Sequence, residues 1–132
     1  MTTARFHLSF PVSDLQRSLC FYQAALRAHV GRRTDGWVDV WLYGHQLTLH
    51  QRPEQVWPAS AQGVRHFGLI LSWAEWQRLA ADLRAAGIEF QEPPTPVDAL
   101  KHAKLLLQDP DGHLIEIKLG PDPPALIAVA TD

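Results

Sequence analysis

A single cysteine, Cys20, in a chain of 132 residues leaves no internal disulfide to form and no C-x-x-C pair for zinc or redox chemistry. No stretch approaches the roughly 18 consecutive apolar residues of a membrane span, and the opening MTTARFHLSF lacks the apolar core of a secretion signal. Charge of one sign is also missing: 12 Lys and Arg stand against 14 Asp and Glu, a formal net charge of −2, and the basic residues are scattered. That excludes the basic stripe with which proteins find nucleic acid. These absences point to a cytoplasmic protein with neither nucleic acid nor membrane as partner. Cys20 sits in a helical stretch beside Phe21 and reads as a small buried hydrophobe rather than a reactive thiol.

What is present is the ordinary mixture of a globular protein, 46% hydrophobic and 20% charged. The length suits one domain over about residues 1–120. Residues 121–132 carry three prolines and then ALIAVA, and read as a tail on the surface or on a partner subunit.

The chain repeats once. FHLSFPVSDLQRSLCFYQAAL and RHFGLILSWAEWQRLAADLRAAG each read as a strand entering a helix, with His7 and His66 in equivalent places. Ser13 before Gln16 and Ser72 before Glu75 have capping-box spacing and predict helix starts. Leu15, Leu19, Tyr22 and Leu26 recur at helical spacing in the first repeat, and Trp76, Leu79, Leu83 and Ala86 in the second, so each helix has one face to bury. Gly87 suits the end of the second helix.

Strand-like segments follow at Gly36–Leu42 and Gln46–Gln51, then at Ile88–Gln91, Lys104–Gln108 and Leu114–Leu119. GHQLTL (Gly44–Leu49) aligns with GHLIEI (Gly112–Ile117), which makes Thr48 the counterpart of Glu116. Each half reads βα followed by two or three strands: module one about residues 5–51, a proline-containing linker 52–64, and module two about residues 65–119. The expected class is α+β, with two modules forming a curved, mostly antiparallel sheet around a cleft. Alternation sets Glu116 opposite Ile115 and Ile117, His7 opposite Phe6 and Leu8, and His66 opposite Phe67.

In their order and separation, HLSFPVSDLQRSLCFY, RHFGLIL and DPDGHLIEI resemble the glyoxalase/bleomycin resistance/dioxygenase group, the vicinal oxygen chelate superfamily, over residues 5–119. The resemblance implies paired βαβββ modules and, carried over position by position, a metal held by His7, His66 and Glu116. Two neutral imidazoles and a carboxylate suit iron, manganese, nickel, cobalt or zinc, and leave positions open for a substrate. The implied activity is that of a metal-dependent lyase, dioxygenase or fosfomycin-type transferase. Its small substrate would chelate the ion through neighbouring oxygens. A homodimer is also implied, and in several relatives the ligands of one site come from two chains. The alternative is a metal-free, drug-sequestering protein of the bleomycin-resistance kind.

Two departures qualify the resemblance. Glyoxalase I-like members place a glutamate where this chain has Thr48, and threonine is no general base. Gln46 and His50 share the strand face of Thr48, and His50 is a second catalytic candidate beside Glu116, as metal ligand or proton carrier; a plain surface histidine is the alternative. The first helix ends Leu26-Arg27 where relatives read Leu-Gly, so Gly31 is expected to take over the turn. The fosfomycin enzymes carry a hydroxyl residue where Ser9 stands, yet an anionic pocket needs convergent cations, for which Lys101, Lys104 and Arg5 are only loose candidates. Trp37, Trp41, Tyr43 and Trp57 are candidates either to line a pocket or to fill a core, and His102 either closes over the site from the loop 92–103 or lies exposed.

Overall fold

The computed structural model describes residues 4–92 and 104–120. Lys101, His102 and the tail 121–132 lie outside the described residues. The chain forms two compact units, one of residues 4–64 together with Asp109–His113, the other of residues 65–92, 104–108 and 114–120.

The first unit runs β1 (His7–Val12), α1 (Leu15–Leu26), β2 (His29–Arg33), β3 (Trp37–Leu42) and β4 (His45–Gln51). Its sheet has the order β1-β4-β3-β2, with β1 parallel to β4 and the other pairs antiparallel. The second unit repeats the design with β5 (His66–Leu71), α2 (Trp73–Ala85), β6 (Phe90–Glu92), β7 (Lys104–Gln108) and β8 (Leu114–Leu119) in the order β5-β8-β7-β6. This is the α+β architecture expected, mostly antiparallel in each sheet. The segment 52–64 contains two 3-10 turns, Pro53–Gln55 and Ala59–Ala61.

Alternation decides which face each strand buries. Val38, Val40 and Leu42 of β3 and Leu47 and Leu49 of β4 lie under α1, which contributes Leu15, Leu19, Tyr22 and Leu26. Leu105, Leu107, Ile115 and Ile117 do the same in the second unit, beneath Trp76, Leu79 and Leu83 of α2. Each such side chain, fully buried, contributes about 1.5–3 kcal/mol. Ala86 is exposed and ends α2 instead of joining its buried face.

Local signals account for the helix ends, with corrections. Ser72 caps α2 as expected: its hydroxyl accepts from the Glu75 amide at 3.3 Å and donates to the Glu75 carboxylate at 3.0 Å. In α1 the cap is Asp14, not Ser13; its carboxylate accepts from the Arg17 amide at 3.0 Å, while the Ser13 amide donates to Asp111. The helix begins one residue later than the Ser-x-x-Gln spacing implied. Gly87 takes φ +71°, its N–H reaching Arg84 O and that of Ile88 reaching Leu83 O, the paired bonds of a Schellman end. At the end of α1, Arg27 itself turns left-handed at φ 56°, and Gly31 lies in β2. Cys20 is exposed and accepts a hydrogen bond from Gln16, so the buried reading fails: its side of α1 faces away from the sheet.

The strand β2 carries no strand signal in its sequence. His29-Val30-Gly31-Arg32-Arg33 is exposed throughout and has no apolar alternation to betray it. The turn alignment, by contrast, is reproduced in the backbone, since Gly44 and Gly112 both adopt φ +84° ahead of β4 and β8.

Candidate functional site

Register brings the repeat down to single residues. In the first unit His7 pairs with Gln46 and Ser9 with Thr48; in the second His66 pairs with Leu114 and Gly68 with Glu116. Thr48 is therefore the structural counterpart of Glu116, and Ser9 that of Gly68.

In the second unit the structure brings together two of the expected ligands. His66 Nε2 lies 3.7 Å from Glu116 Oε2, and Lys118 Nζ lies 3.7 Å from the other oxygen, Oε1. Glu116 is 18% exposed, on the face opposite the fully buried Ile115 and Ile117. At Gly68, the register partner of Glu116, a β-carbon would overlap the Glu116 carbonyl oxygen. The parallel pair β5–β8 can thus approach closely just where the carboxylate emerges.

In the first unit His7 faces an open hollow of about 350 Å³, lined also by Arg32, Trp37, Asp39, Gln46, Thr48 and His50. His50 does share a face with Gln46 and Thr48, but it pairs with Pro11, four residues along from the register partner of His7, or about 13 Å at the rise of a strand. It stands at the far end of the hollow from His7. A second hollow of about 290 Å³ is lined by Ser9, Phe10, Pro11, His50, Arg52 and Gln55. Among the described residues, no three His, Cys, Asp or Glu side chains gather closely enough to hold a metal ion.

Two residues in the hollow were not anticipated. Asp39, 2% exposed, accepts a hydrogen bond from Thr48 Oγ1 at 2.6 Å and one from Arg32 Nε at 2.9 Å. Burial alone would push its carboxyl up, and the Thr48 and Arg32 hydrogen bonds act against burial. With the charges of Arg32 and His7 they hold it below its ordinary value. Thr48 is no base, yet it fixes a carboxylate supplied from the neighbouring strand. A sequence signal existed: Asp39 is the lone charge in Trp37-Val38-Asp39-Val40-Trp41-Leu42, on the face the two tryptophans share. Nothing in the sequence pointed to Arg32.

The aromatic candidates divide. Trp37 lines the hollow with the Arg32 guanidinium 5.4 Å from its ring centre, and Trp41 carries Arg5 at 5.3 Å. Tyr43 sits in the β3–β4 turn at φ 50°, and Trp57 is exposed in the segment after β4.

A third cluster is structural. Asp109 of the DPDG turn accepts hydrogen bonds from the Tyr22 hydroxyl at 2.8 Å and from the amides of Asp111 and His113, and its Oδ2 lies 2.7 Å from His113 Nδ1. Arg17 pairs with Asp111 at 3.1 Å. Together these bonds tie the turn to α1 within the first unit.

Comparison with known proteins agrees with the fold. The sequence model of the Glyoxalase/Bleomycin resistance protein/Dioxygenase superfamily matches residues 5–117. The glutathione transferase FosA of Serratia marcescens is 24% identical over 119 residues, covering 86% of this chain and 79% of its own. A glyoxalase/bleomycin resistance protein/dioxygenase from Alicyclobacillus acidocaldarius superposes with a TM-score of 0.78 at 25% identity, over 90% of this chain and 92% of that one. The fosfomycin resistance protein FosX of Listeria monocytogenes does so with a TM-score of 0.72 at 18% identity, over 91% and 95% of the two chains. With matching fold, module order and sequence pattern, the chain belongs to the glyoxalase/bleomycin resistance protein/dioxygenase superfamily.

Proposed function

We propose that this chain is a divalent-metal-dependent enzyme in which His7, His66 and Glu116 hold one ion and the small substrate offers that ion two neighbouring oxygens. The observation that supports it best is the His66–Glu116 pair, an imidazole and a carboxylate 3.7 Å apart. That separation is less than twice the usual metal–ligand distance of about 2.1 Å, so a single ion can touch both donors. His7 occupies the equivalent register position in the first unit and completes a two-imidazole, one-carboxylate set suited to iron, manganese, nickel, cobalt or zinc.

When bound, the ion would polarise the substrate oxygens as a Lewis acid. The remaining work falls to side chains. Glu116 projects from β8 where Gly68 lets the two strands approach closely, and Lys118 balances its charge. His50, at the end of the hollow away from His7, would carry a proton to or from a substrate that extends along β4. Trp37 gives that substrate an apolar wall.

The relatives support a reaction of the lyase, dioxygenase or transferase kind. FosA is named a glutathione transferase, and a variant of FosX has been crystallised with Mn(II) and 1S,2S-dihydroxypropylphosphonic acid, a ligand rich in adjacent oxygens. A cytoplasmic homodimer belongs to the same proposal. It predicts a sedimentation mass of two chains at micromolar concentration, and a mass of one chain would remove it.

The test is elemental analysis of the purified protein beside His7→Ala, His66→Ala and Glu116→Gln, repeated after reconstitution with each of the five metals. About one ion per site in the wild type, lost in all three variants, is the expected result. No stoichiometric ion in any reconstituted sample would end the metal reading. It would leave the second one, a metal-free binder of aromatic or cationic drugs, for which Trp37 in the hollow offers a stacking face. In that case Glu116→Gln keeps its affinity for the drug.

A further inference from the structure

The sequence offered no convincing cation for an anionic substrate, and the fold supplies one. In the β2–β3 ladder Val30 pairs with Val40 and Arg33 with Val38, so Gly31 and Arg32 together face the single residue Asp39. This is a β-bulge, a device that re-aims side chains and concentrates beside functional sites. A glycine suits this close packing, because a β-carbon on Gly31 would stand 2.9 Å from the Trp41 indole nitrogen and 3.2 Å from Asp39 Cβ, and one of these side chains would have to shift.

The bulge turns Arg32 onto the sheet face that carries His7. Its Nε donates to Asp39 at 2.9 Å, and its guanidinium lies over the Trp37 ring. Asp39 is itself fixed from the other side by Thr48. The guanidinium plane is therefore set by a buried carboxylate and an indole, while the side chain remains 78% exposed and lines the hollow. A tether through Nε leaves the two terminal nitrogens, the edge that matches the paired oxygens of a carboxylate, phosphonate or phosphate. An arginine with no role beyond a surface ion pair needs neither a bulge nor a buried, doubly bonded partner.

We propose that Arg32 is a substrate-binding residue that takes an oxyanion group in the hollow beside His7, and that the substrate is a small anion. The assignment deepens the function proposed above, giving its substrate a negative charge, but the site itself lies wholly within the first unit and needs no metal to be tested.

The experiment is a titration of the full, chelator-treated protein with inorganic phosphate and, separately, with malonate at constant ionic strength. The tryptophan indole N–H signals are followed by NMR in wild type, Arg32→Lys and Arg32→Gln. A saturable shift of the Trp37 signal is expected with at least one anion, with the Trp73 and Trp76 signals of α2 unmoved. Arg32→Gln should weaken binding roughly tenfold or more, and Arg32→Lys less, since it keeps the charge and loses the fork. A response to phosphate alone assigns a tetrahedral oxyanion, and to malonate alone a carboxylate. No saturable shift in the wild type, or equal binding by Arg32→Gln, overturns the proposal. A protein that binds anions through Arg32 yet takes up no metal keeps this inference and loses the metal reading; the reverse result separates them the other way.

Discussion

In the first unit the residue opposite Ser9 is Thr48, a buried hydroxyl spent on Asp39. In the second the same place, opposite Gly68, holds Glu116, whose carboxylate faces His66 and Lys118. The two sheets share strand order, register and turn geometry. One duplicated frame has thus been given two chemistries, a hydrogen-bonded Arg–Asp–Thr chain in one half and an open imidazole–carboxylate pair in the other. The backbone fixes where a side chain can emerge. Which group emerges there is left to single residues.

The sharpest way to break that comparison is Gly68→Ala. Its β-carbon would overlap the Glu116 carbonyl, so β5 and β8 must separate at the point where they position the candidate ligands. Overpacking of this kind costs about 2–3 kcal/mol. The counterpart change, Ser9→Gly, removes a side chain that the first unit accommodates and should cost only about 0.5–1 kcal/mol. Urea denaturation of both variants measures the difference. Equal stabilities would mean that the close approach at Gly68 does not govern the second sheet.

The helices differ in how they are fastened. Each sends one polar tip from a buried aromatic ring, Tyr22 to the Asp109 carboxylate at 2.8 Å and Trp76 to the Ile117 carbonyl oxygen at 3.1 Å. Tyr22→Phe should cost about 1.5–2 kcal/mol, the worth of a hydrogen bond to a charged group. It should also change the alkaline limit. Burial, and then the charge of Asp109, push the Tyr22 hydroxyl well above its ordinary pKa. The unfolded chain releases this proton near pH 10 while the folded one retains it, so stability falls as pH rises above about 10. That contribution to the slope disappears in Tyr22→Phe. Melting curves of the two proteins from pH 8 to 11 test it, and parallel slopes would contradict the account.

Much of this comparison was legible in the sequence because it rests on local chemistry. The glycine turns that align Thr48 with Glu116, the Ser72 cap, the glycine after α2, and the bounds of β7 and β8 are all set by residues within a few positions of one another. What escaped depends on partners far along the chain or on exposed edges. β2 has no buried face to impose alternation, and Arg32 acquires meaning only when a bulge sets it against Asp39 on the next strand. Asp14 was overlooked for a more subtle reason: Ser13 and Asp14 are both good caps, and the contact of the Ser13 amide with Asp111 decides between them.

The smallest expected effect lies at the helix ends. α1 closes with Arg27 at φ 56°, and α2 is followed by Gly87 at φ +71°, so the same left-handed turn is made once with a β-carbon and once without. L-residues resist this region because the β-carbon crowds the backbone carbonyl, whereas glycine enters it freely. Arg27→Gly should therefore stabilise the protein by about 0.5–1 kcal/mol, and Gly87→Arg should destabilise it by a similar amount. The pair is best read by thermal melting at neutral pH, as two shifts of opposite sign. If Arg27→Gly melts lower than wild type, then contacts of the arginine side chain, and not backbone strain, set the balance at the end of α1. The two helix ends would then differ in kind as well as in strain.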